Sequence, residues 1–182
     1  MGKVFESITE SLREFIARQK MFFVATAPIA ANGHLNLSPK GLNSFLILDE
    51  HTVAYADLIG SGIETVAHLK ENGRIVLMFC AFEGAPNIVR FHGTGEVVEP
   101  GDTEFETLSG MFPELSGLRS VIRVHCTRIS DSCGFGVPLF NFQGNRDQLE
   151  RWIESKSMEQ RADYIREKNS ASIDALPGAR PD

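Results

Sequence analysis

Between Met21 and Ile129 the chain is a succession of short β-branched and aromatic runs, most separated by too few residues to hold a helix. That pattern restricts the fold more than any other feature, because strands joined by tight turns must pair antiparallel. Met21 to Ala27 reads as a strand, and Asn32-Gly33 turns it into a second one from His34 to Leu37. Phe45 to Leu48 and Thr52 to Asp57 form a pair around Asp49-Glu50-His51, while Arg74 to Phe82 and Asn87 to Val98 flank Glu83-Gly84-Ala85-Pro86. Ser120 to Ile129 alternates, with Ile122, Val124 and Cys126 on one side and Arg123, His125 and Thr127 on the other. Gly93-Thr94-Gly95 inside a strand marks a bulge or a close backbone approach. Helices are expected only as interruptions: Ile63 to Glu71, stopped by Asn72-Gly73, and Asp102 to Met111, opened by Pro100-Gly101. This is not a βαβ rhythm, and it predicts an antiparallel sheet closed into a barrel so that no strand edge is left bare.

Two helical regions flank the strands. Phe5, Ile8, Leu12, Phe15 and Ile16 recur at helical spacing and predict an amphipathic helix over residues 5–19. A second helical stretch runs from about Asp147 to Lys168, with Leu149, Trp152, Ile153, Tyr164 and Ile165 as its apolar positions, and SIDALPGARPD after it reads as irregular. At 182 residues, with no internal repeat and no low-complexity linker, one domain spanning 1–182 is expected.

Charge and cysteine content narrow the function. The formal net charge of −6 lacks the basic footprint that draws a chain to nucleic acid or anionic lipid. Cys80, Cys126 and Cys133 form no CxxC unit, and the N-terminus lacks the apolar run of a signal peptide, so a reducing cytoplasm is the expected setting. No apolar stretch reaches the ~20 residues that span a bilayer. His34, His51, His68, His92 and His125 have no metal-ligand spacing, and no metal site is expected. His125 and Cys126 adjoin, but neighbours on a strand point to opposite faces, so no nucleophile-base pair can be argued.

Two segments carry chemistry. Ser38-Pro39-Lys40-Gly41 reads as a loop between strands that presents a lone lysine. Asp57-Leu58-Ile59-Gly60-Ser61-Gly62-Ile63-Glu64-Thr65 leaves a strand, passes two glycines and enters a helix, gathering backbone N–H groups at the positive end of the helix dipole. That is an anion-binding arrangement. It is not a dinucleotide fingerprint, since Thr65 stands where a third glycine belongs. Ser61 and Glu64 also have the spacing of a capping box, which would occupy the same N–H groups without a ligand. Lys40 is the only Lys or Arg between residues 28 and 65, with Arg74 or Arg90 as candidates to assist it. Cys133-Gly134-Phe135-Gly136-Val137-Pro138 offers a flat apolar ring on a flexible loop.

SPKG, DLIGSGIETVAHLKENGRIVLMFCAFEGAPNIVRFHG, SDSCGFGVPLFNF and KNSASIDALPG, in that order, resemble the pyridoxamine 5′-phosphate oxidase-like, FMN-binding split-barrel family. The resemblance implies a mainly β, six-stranded antiparallel Greek-key split barrel over about 21–142. A helical C-terminal region over about 145–170 and an irregular tail over 171–182 would follow. It further implies a homodimer with one FMN at each of two sites formed jointly by both chains. Carried over by position, Ser38, Lys40, Gly41, Asn43 and Ser44 follow the flavin, and Asp57 ends the next strand beside it. Ser61, Gly62 and Thr65 hold the phosphate, and Cys133, Gly134 and Phe135 lie where the partner chain packs on the ring. The implied activity is hydride exchange between flavin N5 and a reduced nicotinamide or small organic substrate. FMN binding without turnover, or haem or a deazaflavin in the same pocket, are the alternatives. Two departures set the chain apart from the biosynthetic oxidases: Glu64-Thr65 replaces their Arg-Lys pair, and Gly136-Val137-Pro138 replaces their Arg-x-His element. No side chain is nominated as acid or base.

Overall fold

A computed structural model describes residues 2–180; the last two residues of the expected tail lie outside the described residues. The chain opens with a two-residue strand, β1 (Val4–Phe5), and a helix, α1 (Glu10–Arg18). The helix starts later than the apolar spacing predicts because extended Thr9 caps it, accepting a hydrogen bond from the Leu12 N–H at 3.4 Å. Leu12, Phe15 and Ile16 are its buried face.

The strands that follow are β2 (Phe22–Thr26), β3 (Asn36–Lys40), β4 (Phe45–Ile47), β5 (Thr52–Leu58), β6 (Arg74–Cys80), β7 (Ile88–Val98) and β8 (Leu118–Ser132). All pairings are antiparallel, in the order β3-β2-β6-β7-β8-β5-β4, with β1 added beside the far end of β8. This is the expected mainly β split-barrel architecture, with eight strands instead of six. β5 returns to lie beside β8 across a connection that contains a helix, α2 (Glu64–Asn72), so β5 to β8 make a Greek key. The helix stops where the sequence predicts, on Gly73 at φ 70°. The bulge expected near Gly93 is a register shift between His92 and Gly93, where a Cβ would collide with the His125 carbonyl oxygen.

Two expectations are corrected. The sheet does not close through hydrogen bonds: β3 and β4 are its two ends, joined by a tight turn instead of a ladder. SPKG is not a loop either, because Ser38, Pro39 and Lys40 belong to β3, whose outer edge needs no donor from proline. The turn lies one step later. Leu42 and Asn43 both take left-handed backbone angles, at φ 61° and 55°, and the Ser44 N–H donates to the Gly41 carbonyl at 3.2 Å.

Inside the curl, Phe22, Phe45, Tyr55, Phe79 and Phe91 pack ring against ring, the closest pair being Phe45 and Phe79 at 4.8 Å. A smaller core, including Ala54, Ala56 and Val121, forms with Leu108 of the short helix α3 (Phe105–Ser109). The C-terminal region holds two helices, α4 (Gln148–Glu154) and α5 (Met158–Lys168), where the sequence suggests one stretch. Ser157 breaks it by starting a capping box with Gln160. Residues 169–180 then fold back across the molecule, with an isolated bridge between Ala171 and Pro177 and with Asn169 and Ser172 buried.

Candidate functional site

β3 presents alternate side chains to one side, so Asn36, Ser38 and Lys40 share a face while Leu35 and Leu37 stand exposed on the other. That shared face lines a cavity of about 240 Å³, whose other walls are Asp57, residues 60 and 62–65, and Arg119. The polar groups are linked. Asn36 donates to Thr65 Oγ1 at 2.9 Å and to Thr26 Oγ1 at 3.2 Å, and Thr26 Oγ1 lies 2.9 Å from His68 Nδ1. His68 is buried, with no hydrogen-bond partner on Nε2 among the described residues; burial holds its pKa below the usual imidazole value, against the pull of Asp174, Glu64 and Glu71.

Asp57 is the electrostatic centre. It is 1% exposed, yet Oδ1 accepts from Lys40 Nζ at 3.0 Å and Oδ2 accepts from Arg119 Nε at 2.9 Å and Nη2 at 2.6 Å. Burial alone would push this carboxyl up. Lys40 and Arg119 together outweigh it, so Asp57 sits below the ordinary carboxylate range and is ionised at neutral pH. Behind it the Tyr55 phenol is pushed well above its ordinary value by burial and by the Asp57 charge, and its hydroxyl has no hydrogen-bond partner within 3.5 Å among the described residues.

Arg119 also shapes the loop after β5. Its Nη1 donates to the Gly62 carbonyl at 3.1 Å and to Asn169 Oδ1 at 2.8 Å, while Asn169 Nδ2 donates to the Gly60 carbonyl at 2.9 Å. The capping box that would have used the loop amides does not form. Ser61 is exposed, the helix cap is Ile63 with no side-chain bond, and Glu64 Oε1 instead accepts from the Ile173 N–H at 3.4 Å. The N–H groups of residues 61 to 65 consequently have no acceptor among the described residues. With one Lys40 donor on Asp57 and two free, the cavity offers an ammonium beside a row of open amides.

Of the residues singled out from sequence, Ser38, Lys40, Asp57, Gly62 and Thr65 meet at this cavity, and Ser61 does not line it. Gly41, Asn43 and Ser44 line a second cavity of about 140 Å³ with Lys20 and Phe45. Cys133, Gly134 and Phe135 stand apart, just beyond the end of β8, with Cys133 exposed and Phe135 82% exposed. Arg74 and Arg90 do not assist: Arg74 donates to the Pro28 carbonyl and Asn72, and Arg90 donates to Ser132. Arg119 and Asn169 are the residues that sequence reasoning missed. Asn169 sits in KNSASIDALPG, which gave a signal, but Arg119 is one basic residue before an alternating strand and gave none.

A larger cavity of about 820 Å³ opens where the end of α1 and the Phe82–Ala85 turn meet residues 140–144. It is walled by Phe15, Phe23, Phe82, Phe140 and Phe142, with Arg18 and Lys20 also lining it.

Residues 8–133 match the pyridoxamine 5′-phosphate oxidase family. The chain belongs to that family. It is similar to the pyridoxamine 5′-phosphate oxidase family protein ustO of Aspergillus flavus, at 38% identity over 96% of this chain and 76% of that protein. Among solved structures it is similar to HupZ of Group A Streptococcus, at 27% identity and a TM-score of 0.51, covering 67% of this chain and 91% of that one. A FAD-binding protein of Mesorhizobium loti shares the fold at 11% identity and a TM-score of 0.50, covering 72% and 96%. No helix among the described residues is long and apolar enough to cross a membrane, and no cluster of metal-ligating side chains occurs among them.

Proposed function

We propose that this protein is an FMN-dependent oxidoreductase whose cavity beside β3 takes the phosphate end of the flavin. The observation that carries the reading is the run of acceptor-less amides from Gly62 to Thr65 at the head of α2, lining the same cavity as Lys40 with its two free donors. These residues fit a phosphate. They differ from an Arg-Lys arrangement in supplying backbone amides and one ammonium, because the nearby guanidinium of Arg119 is spent on Asp57, Gly62 and Asn169. A cavity of about 240 Å³ falls below the ~300–1,000 Å³ of ordinary ligand sites, which supports a site completed by a second surface. The homodimer is part of the proposal, with the apolar arm around Phe135 and Phe140 of one chain facing the flavin held by the other. The free Cys80, Cys126 and Cys133 support a cytoplasmic setting.

When bound, the flavin supplies hydride transfer at N5, with a reduced nicotinamide or a small organic molecule as the other reactant. The chain's part is positional. Lys40 and the loop amides bind the phosphate, Asp57 aims the Lys40 ammonium through its hydrogen bond, and the Leu42-Asn43 turn sets the direction of the strand that follows. A second reading, FMN held without turnover, is favoured by one observation: Asp57, the buried carboxylate of the cavity, is tied on both oxygens, leaving it unavailable as a base. Purified protein is expected to carry or take up FMN, and Lys40→Ala is expected to weaken FMN binding by about 1–3 kcal/mol, the cost of a charge-assisted hydrogen bond. Absence of flavin uptake overturns the proposal. Rapid mixing of the FMN-loaded protein with NADH and NADPH decides between the readings, since bleaching of the oxidised flavin's visible absorbance requires electron transfer.

A further inference from the structure

The phosphate loop is held open from behind by a residue 109 positions away in the sequence. Across a trans peptide, the carbonyl and the following N–H point in opposite directions. The Gly60 carbonyl is drawn toward Asn169 and the Gly62 carbonyl toward Arg119, so the N–H groups of Ser61 and Ile63 turn away from those side chains and stay unpaired. Asn169 is fully buried, and its amide is used at both ends, one on Gly60 and one on Arg119. Without it, the Gly60 carbonyl loses its shortest donor and Arg119 Nη1 loses its shortest acceptor.

Asn169 is itself held by the C-terminal segment. The Ala179 N–H donates to the Asn169 carbonyl at 2.7 Å, and Gly178 is pressed so close that a Cβ there would collide with the same oxygen. Lys70, in the last turn of α2, donates to the Gly178 carbonyl at 2.6 Å, and Glu64, in its first turn, accepts from Ile173. His34 donates its backbone N–H to Asp174 at 2.7 Å. Residues 169–180 thus grip α2 at both ends and reach the stretch leading into β3.

We propose that Asn169 is a positioning residue for the anion end of the ligand, and that docking of residues 169–180 and anion binding at residues 61–65 are coupled. The inference rests on the phosphate reading of the cavity given above. Coupling of this kind is reciprocal: whatever the docked tail contributes to anion affinity, the bound anion returns as tighter docking. The ligand classes that feel it are phosphate-bearing ones. Riboflavin, which shares the ring and ribityl chain of FMN but lacks the phosphate, should not.

Three measurements test this. Dissociation constants of FMN and riboflavin are measured on the wild-type protein and on Asn169→Ala, with circular dichroism confirming that the variant is folded. Hydrogen exchange of the Gly178 and Ala179 amides is followed in the wild type with FMN, with inorganic phosphate and with neither. The expected result is a tenfold to hundredfold weakening of FMN binding, roughly the factor that one or two lost polar contacts give, with riboflavin unchanged. Both anions should slow exchange in the tail. Equal losses for FMN and riboflavin, or no loss for either, overturn the role of Asn169, and tail exchange indifferent to both anions overturns the coupling even if the variant fails to fold. A wild type that ignores flavins while phosphate still protects the tail keeps the coupling and overturns the FMN reading; a wild type that binds neither overturns both.

Discussion

Two irregular segments follow the last strand, and they are built on opposite terms. Residues 169–180 are pinned: Asn169 and Ser172 are buried, Gly178 and Ala179 donate back to Ser170 and Asn169, and Arg180 reaches Glu99 and Asp102. Residues 133–147 are tethered by a few bonds, chiefly Phe140 N–H to the Phe82 carbonyl and Phe142 N–H to Glu83. They leave Phe135, Leu139, Phe140 and Phe142 exposed. The tail is held to its own chain through polar contacts, whereas the arm carries apolar surface that its own chain covers only in part, the surface that the proposed homodimer would bury.

The tail's side of this comparison breaks most severely at Arg119. Arg119→Met keeps much of the side-chain volume but leaves the Asp57 carboxylate, which is 1% exposed, with Lys40 as its remaining ion-pair partner, and releases Gly62 and Asn169 together. Removing one partner of a buried pair typically costs about 3–5 kcal/mol, and urea or guanidinium unfolding of the variant should fall in that range. A loss below about 1 kcal/mol would mean that Lys40 alone suffices to hold the Asp57 carboxylate. Acid supplies the matching test in the wild type. Because the folded Asp57 pKa is lowered, its contribution is fully present above the unfolded carboxylate value near 4 and is lost as pH falls through the lower folded value. Arg119→Met should flatten that decline.

Why this network was only half legible in the sequence follows from what each residue announces. Turn chemistry and apolar alternation are local, so the hairpins, the stop at Gly73 and the bulge at Gly93 could be read from neighbours. The strand-loop-helix from Asp57 to Thr65 was visible for the same reason. SPKG misled because proline suggests a loop, and only knowing that β3 is an edge strand makes Pro39 admissible in it. Arg119 and Asn169 act across 62 and 109 residues, on Asp57 and Gly60. No pattern within a window of one helix or strand encodes a partner that far away. The capping-box reading failed for a related reason: the distant Ile173 N–H takes up the Glu64 carboxylate that the local pattern had assigned to the helix cap.

The arm's side of the comparison should break differently. Phe140→Ser together with Phe142→Ser removes apolar surface that is half exposed, 58% and 47%, in the single chain. Because Phe140 packs 5.4 Å from the Phe82 ring and Lys20 lies over Phe142, the unfolding free energy of a single chain should fall only modestly, by about 1–2 kcal/mol. Self-association should suffer instead, with the dimer dissociation constant, measured by sedimentation, rising at least about tenfold, the effect of one lost apolar anchor. If the variant stays as dimeric as the wild type while its folding stability drops by several kcal/mol, the arm packs on its own chain and the contrast with the tail disappears.

The finest distinction lies at the tail's outer rim. The Asp174 carboxylate accepts from the His34 backbone N–H at 2.7 Å and sits 2.6 Å from His34 Nδ1, and these bonds hold its pKa below the ordinary carboxylate value. A lowered folded pKa means that the contact contributes above the unfolded value and is lost as pH falls through the folded one. The site is solvent-facing, so the global melting temperature of Asp174→Asn should not move measurably. Local exchange should. In the wild type the His34 amide is expected to lose protection as the carboxyl takes up its proton, while the Phe140 amide of the arm, which donates to the Phe82 backbone carbonyl, shows no such step. Asp174→Asn should abolish the step, because an amide does not titrate in that range. A step that survives the substitution, or that appears equally at the Phe140 amide, would assign the acid response to the sheet beneath both segments and not to the rim of the tail.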